Sequence, residues 1–162
     1  MSKDQLYTLS EAHQHFAKSS FNRVWELLEN KARSPEEDQE MLLAAHASLY
    51  HWTKAGTAVH YQRGSWMISR VHQALREPEP CLAWALQCLE ITEDHPSDME
   101  DFDLAYAQEG LARAYALAGD QEKALRHWQQ AAELGEKITD PEDRKIFLAD
   151  FKAGNWYQLP FE

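Results

Sequence analysis

The clearest indication of the fold is the stretch Ala105–Lys137, AYAQEGLARAYALAGDQEKALRHWQQAAELGEK. Small residues and large apolar residues recur in it at three- and four-residue intervals on both sides of Gly119-Asp120, which is a turn signal. This spacing is typical of two amphipathic helices joined by a tight turn. The small side chains allow the two helices to approach, and the large ones fill the gaps between them. The stretch therefore predicts an antiparallel helix pair.

Similar helix signals continue in both directions along the chain. Ser34-Pro35-Glu36-Glu37 and Asp140-Pro141-Glu142-Asp143 each combine an N-cap, a proline in the first turn and acids that complement the helix dipole. Ser97 or Asp98 is expected to cap a fifth helix. The chain is predicted to be all-α, with seven helices in three pairs at about 10–54, 57–93 and 98–138 and a last helix at 141–153.

The helix pair at 105–137 matches a known repeat pattern. The matching residues are Leu111, Ala112, Tyr115, Gly119, Asp120, Ala124, Trp128 and Ala131. The segment thus resembles a tetratricopeptide repeat, with Gln108 where that family usually has a large aromatic residue and Glu136 where it often has proline. A weaker copy lies 43 residues earlier, with Arg76-Glu77 in place of the Gly-Asp turn; its matching residues are Ile68, Ser69, His72, Cys81, Ala85 and Cys88.

The resemblance implies a right-handed α-solenoid that forms a single domain over residues 1–162. Each helix pair has an apolar face that only a neighbouring pair can cover, so a short array needs about three pairs and a more polar terminal helix. The helix at 141–153 is predicted to be this capping helix, because helical spacing places Ile146, Phe147 and Phe151 on an inward face and charged residues such as Asp150 and Lys152 on an outward face.

The charge of the chain excludes several classes of partner. A net charge of -11 and a pI near 5.1 disfavour nucleic acid and anionic membranes, which usually require clustered Lys and Arg. No apolar stretch long enough for a membrane span or signal core is seen, so a cytoplasmic location is expected. Cys81 and Cys88 lie about 10 Å apart along one predicted helix, too far for a disulfide, and are expected to be reduced.

The resemblance also implies a concave groove lined by the first helix of each pair. The implied groove residues are Arg63, Trp66, Arg70 and Gln73 of helix three and Tyr106, Glu109 and Arg113 of helix five. Helical spacing independently places Arg63, Trp66 and Arg70 on one stripe. Two guanidinium groups beside an indole could bind the carboxylate of an acidic or C-terminal peptide. The alternative is that both arginines pair with acidic residues of this chain.

A second cluster of polar residues predicts a different kind of site. His46, Tyr50 and His51 of helix two could form a small-ligand or enzymatic pocket with Arg63 and Arg70 of helix three. A metal site is not expected, since His46 and His51 are five residues apart and therefore lie about 140° apart around the helix. The sequence also contains no Gly-rich phosphate loop, nucleophile elbow or Cys-x-x-Cys motif.

These observations favour a non-enzymatic adaptor that binds a peptide or helix of another protein. No cofactor is expected. Homodimerisation through the same concave face is the nearest variant, because six tryptophans in a small domain leave room for an exposed aromatic surface. The small-ligand or enzymatic pocket is kept as the alternative function.

Overall fold

The computed structural model describes residues 6–157, and these form seven α-helices and one short 3-10 turn, with no strand. The helices are α1 (Leu9–Glu29), α2 (Pro35–Ala55), α3 (Ala58–Ala74), α4 (Pro78–Asp94), α5 (Asp101–Ala118), α6 (Gln121–Glu136) and α7 (Pro141–Lys152). The all-helical prediction is confirmed. No helix among these residues is both long and apolar enough to cross a membrane.

Local side-chain chemistry sets most helix ends. Ser34 and Glu37 form a reciprocal capping box at the start of α2, and Asp140 accepts hydrogen bonds from the backbone of Glu142 and Asp143 at the start of α7. Gly119 ends α5 with φ 85°, a left-handed conformation that glycine adopts at little cost. These ends lie where the sequence predicts them.

The start of α5 differs from the prediction. Pro96–Asp98 forms the 3-10 turn, so neither Ser97 nor Asp98 caps the fifth helix. Glu100 is the N-cap residue, and it forms a capping box with Asp103. Helix α1 is capped by Thr8, begins at Leu9, next to the predicted start of the first pair at about residue 10, and ends at Glu29.

Consecutive helices pack against each other along the whole described chain, and α1 also contacts α3, α3 contacts α5, and α5 contacts α7. The core follows this order in three clusters, centred on α1–α3, on α4–α5 and on α5–α7. The odd-numbered helices therefore form a series of neighbours. Each even-numbered helix packs against the odd-numbered helix before it and the odd-numbered helix after it in the chain.

Helix α7 covers the last pair through two phenylalanines. Phe147 and Phe151 are buried, and Phe147 lies so close to Gly135 of α6 that a Cβ there would collide with its ring. Ile146, which was expected to face inward, is 56% exposed. Asp150, which was expected to face solvent, instead accepts a hydrogen bond from Tyr106. Ile146 and Asp150 therefore lie on the same side of α7, the side next to α5, with Ile146 exposed to solvent.

Replacing Leu111 by alanine tests the packing of α5. Leu111 is fully buried, whereas Leu43 of α2 is 64% exposed. We expect Leu111→Ala to lower the free energy of unfolding by about 2–5 kcal/mol, because it leaves a cavity, and Leu43→Ala to lower it by less than about 1 kcal/mol. Urea unfolding followed by circular dichroism measures both. Equal losses in the two variants would contradict the described packing.

Candidate functional site

One open cleft receives side chains from all four odd-numbered helices. We call it the apolar cleft; its volume is about 260 Å³ and its lining residues are Phe21, Trp25, Gln62, Arg63, Trp66, Phe102, Asp103, Tyr106, Ile146 and Asp150. Its aromatic rings form a continuous row. The ring centroids of Trp25 and Trp66 lie 6.0 Å apart, and those of Trp66 and Tyr106 lie 5.3 Å apart. The cleft wall is therefore built from fixed aromatic rings.

An ion pair at one end of the cleft holds α3 against α5. Arg63 donates from Nε and Nη2 to the two carboxylate oxygens of Asp103 at 2.8 and 2.9 Å. Asp103 is buried, and its backbone carbonyl accepts a bond from the equally buried Gln62. The bidentate geometry fixes the plane of the guanidinium group. It also raises the pKa of Arg63, chiefly through the hydrogen bonds that Arg63 donates to Asp103.

A buried carboxylate lies beneath the aromatic row. Glu109 accepts bonds from Nε of Arg113 and from the indole nitrogen of Trp66, the latter at 3.2 Å. Arg70 approaches the same carboxylate at 3.6 Å. Glu109 and Arg113 are each 1% exposed, so they lie beneath the cleft. The sequence-based prediction that they line the groove is therefore wrong. Their mutual charge compensation is what permits this burial.

Arg113 also holds the segment that follows α7. Its guanidinium donates to the carbonyls of Asp150 and Ala153 at 2.9 and 3.0 Å and lies 4.0 Å from the ring centroid of Trp156. Beside it, the Tyr106 hydroxyl donates to Asp150 at 2.5 Å. Burial, and then the neighbouring Asp150 carboxylate, raise the pKa of Tyr106, so this hydroxyl stays protonated. One arginine therefore connects α5 with α7 and the last described residues.

A second cavity adjoins the apolar cleft at Trp25 and is rich in basic residues. We call it the basic pocket; its volume is about 430 Å³, and its polar side chains belong to Glu29, Lys31, Arg33, Arg70, Gln73, Arg76 and Asn155. Arg33 is paired with Asp38 at 2.6 Å. Arg76 makes no ion pair within residues 6–157, and it has φ 58° at the end of α3. Basic side chains thus outnumber acidic ones here, although the chain as a whole is acidic.

The structure separates the seven predicted groove residues into three sets. Arg63, Trp66 and Tyr106 line the apolar cleft, Arg70 and Gln73 line the basic pocket, and Glu109 and Arg113 lie beneath. Other lining residues were not predicted from the sequence, among them Phe21, Trp25, Lys31, Arg76 and Ile146. Of these, Phe21 and Trp25 carried a usable signal, since they lie on the first helix of the first pair.

The residues of the alternative pocket do not converge. The His46 ring contacts Trp84 of α4, with centroids 5.5 Å apart. His51 instead contacts His13 of α1, and Tyr50 is 56% exposed. None of the three lines the apolar cleft or the basic pocket. Within residues 6–157, no group of three or more metal-binding side chains is placed to hold an ion.

Comparison with known proteins gives no match to a family model, a curated protein or a solved structure. The geometry of the cleft and the pocket therefore carries the functional argument.

Several histidines make the stability of the fold sensitive to pH. Desolvation is the main cause that lowers the pKa of His46, His51, His60 and His127. The unfolded chain, whose histidines titrate near about 6.5, then binds more protons than the folded chain just below that pH. The contribution of these histidines to the stability of the fold is therefore complete above a pH of about 6.5 and decreases as the pH drops below it. The carboxylates with lowered pKa values, such as Glu40, lose their contribution only at lower pH.

We therefore expect the thermal unfolding midpoint to fall between pH 7.5 and pH 5.5. His127 hydrogen-bonds Gln108 and stacks on Tyr115, so His127→Gln is expected to reduce this fall. His95→Gln is the control, because His95 is exposed at the end of α4. Circular dichroism melts at several pH values measure the effect. A midpoint that stays constant or rises on acidification would contradict it.

Proposed function

We propose that this protein is a non-enzymatic interaction module, an adaptor that binds a peptide or helix of another protein. The observation that carries the proposal is that α1, α3, α5 and α7 all contribute side chains to one open apolar cleft that continues into a basic pocket. We also propose a right-handed α-solenoid similar to tetratricopeptide repeats, in which the odd-numbered helices line the concave side. The contacts between consecutive helices and between successive odd-numbered helices support a stacked arrangement.

The chemistry of the cleft suits a protein segment. Tryptophan and tyrosine dominate the energetics of protein interfaces, because they combine a large apolar area with few rotatable bonds. Ring contacts join Trp25, Trp66 and Tyr106. Trp66 also donates a hydrogen bond to the buried Glu109, and Tyr106 donates one to the partly buried Asp150. A prearranged wall of this kind loses little side-chain entropy on binding. The open shape admits an extended or helical chain.

The basic pocket supports a partner that carries carboxylates. Both arginines of the sequence-based hypothesis pair with acidic residues of this chain, Arg63 with Asp103 and Arg70 with Glu109. Other basic residues are therefore proposed to bind the carboxylate of the partner. Lys31 and Arg76, which make no ion pair within residues 6–157, become the proposed carboxylate-binding residues of the basic pocket. Elsewhere the acidic chain repels an acidic partner, so this pocket would also fix the direction of the bound segment. An acidic or C-terminal segment next to apolar side chains is the proposed ligand.

The remaining parts of the proposal concern location. We propose a cytoplasmic protein without a nucleic acid or membrane partner. Burial raises the pKa of the Cys81 thiol to about 11 and also raises that of Cys88, which makes both free thiols unreactive.

The small-ligand or enzymatic alternative gains no specific support, because its histidines lie on different faces.

Selection of displayed random 12-residue peptides with free C-termini tests the proposed function. Wild-type protein is expected to enrich peptides that join large apolar residues to Asp, Glu or the terminal carboxylate. Ile146 is exposed at the cleft, and Leu86 is exposed on α4 away from it. For a synthetic enriched peptide, we expect Ile146→Glu to weaken the affinity at least about 10-fold, with Leu86→Glu within about 2-fold. Fluorescence anisotropy measures the affinities.

The partner chemistry has its own control in the same assay. Lys31→Glu combined with Arg76→Glu is expected to weaken acidic peptides about 10-fold or more and to reduce the salt dependence of binding. If no peptide is enriched, or if Ile146→Glu has no effect, the adaptor proposal fails. If apolar peptides bind the cleft without any preference for carboxylates, only the acidic-partner proposal fails.

A further inference from the structure

Exposed apolar side chains are concentrated on the first helix pair. Of the eight large hydrophobic residues exposed in the described chain, six precede Ala55: Leu6, Tyr7, Leu9, Phe16, Leu43 and Tyr50. Only Leu86 and Ile146 lie elsewhere. The other end of the helix array is covered by α7 and Trp156. The first pair has no equivalent cover within residues 6–157, so its outer surface differs chemically from the rest of the molecule.

A continuous group of rings forms the centre of this surface. We call it the ring cluster; it consists of Tyr7, His13, His15, Phe16, Tyr50 and His51. Successive centroids from Tyr7 through His15, Phe16 and His51 to Tyr50 lie between 5.4 and 5.6 Å apart. The Nδ1 atoms of His13 and His51 lie 2.8 Å apart, a hydrogen bond that joins α1 to α2. Phe16 and Tyr50 remain 51% and 56% exposed.

The charge of this surface is unusual for the chain. Residues 9–19 and 47–55 contain one acidic residue, Glu11, and two basic residues, Lys18 and Lys54, whereas the whole chain carries a net charge of -11. Further along the pair, Arg23 binds both carboxylate oxygens of Glu40 at 2.7 and 3.0 Å. An aromatic centre with charges of both signs around it is the usual composition of a protein interface.

We propose that the ring cluster is a self-association surface that docks a second copy of this chain. Two copies that each carry -11 repel each other over most of their surface, and the ring cluster is a nearly neutral area through which they can approach. A two-fold symmetric contact uses the same patch on both copies, so a single uncovered surface is sufficient. The ring cluster then takes the role at this end of the array that α7 has at the other.

The dimensions of the first pair fit such a contact. Helices of 21 residues are about 30 Å long, and two side by side span about 20 Å, which gives a face of roughly 600 Å² in projection. A standard interface buries about 800 Å² per partner. The contact would therefore use most of this face, with the ring cluster, at the start of α1 and the end of α2, at one end of it. The ring cluster shares no residue with the apolar cleft or the basic pocket. A dimer therefore leaves both free, and this inference does not depend on the proposed function.

Sedimentation equilibrium of the full chain between about 5 and 300 µM at pH 7.5 tests the proposal. The average mass is expected to rise from that of the 18.8 kDa monomer towards twice that value with concentration. Phe16→Glu on α1 and Tyr50→Glu on α2 place charge in the contact, and each is expected to raise the dimer dissociation constant at least about 10-fold. Two exposed positions outside the ring cluster, Leu86→Glu and Ile146→Glu, are the controls and are expected to leave it unchanged.

Circular dichroism confirms that each variant is folded, which is expected because all four positions are exposed. A wild-type chain that stays monomeric to 300 µM would overturn the proposal. So would a dimer that persists in both Phe16→Glu and Tyr50→Glu. A dimer that is lost in Ile146→Glu but kept in the ring-cluster variants would place the contact in the apolar cleft, and it would overturn the proposal as well.

Discussion

The buried carboxylate of Glu109 is the group on which the arrangement of the candidate site depends. It lies in the middle of α5, and it is contacted by Arg113 of the same helix and by Trp66 and Arg70 of α3. Arg113 in turn binds the backbone at the end of α7. A single negative charge therefore connects three odd-numbered helices. An unpaired charge at such a depth would be costly, so removal of either partner disturbs the whole group.

This network of buried ion pairs and hydrogen bonds fixes the shape of the apolar cleft. Pairwise packing of helices needs only apolar faces, and many small relative movements of the helices would preserve those contacts. Hydrogen bonds from the Trp66 indole to Glu109 and from the Tyr106 hydroxyl to Asp150 fix the rings that form the cleft wall. The Arg63–Asp103 pair fixes the other end. Binding surfaces that are already ordered lose less entropy when a ligand docks.

The sequence predicts the helices better than it predicts the site, and the reason is the range of the interactions involved. Ser34, Gly119 and Asp140 set helix ends through contacts within three residues of themselves, which a linear pattern displays. Glu109 and Arg113 are predicted from the sequence to line the groove, and their burial is missed because it depends on Trp66 and on the backbone after α7. The same holds for the basic pocket, where Lys31, Arg70 and Arg76 come together from separate elements. Ile146 is exposed because Phe147 takes the buried position against Gly135.

A double-mutant cycle with Glu109→Gln and Arg113→Met measures the dependence on this buried pair most directly. Each single change strands one buried charge or alters its partners, and we expect each to lower the free energy of unfolding by about 3–5 kcal/mol. The double variant removes both charges, so its loss is expected to be smaller than the sum of the single losses by at least about 2 kcal/mol. Additive losses in urea unfolding would show that Glu109 and Arg113 act independently, which would contradict the account.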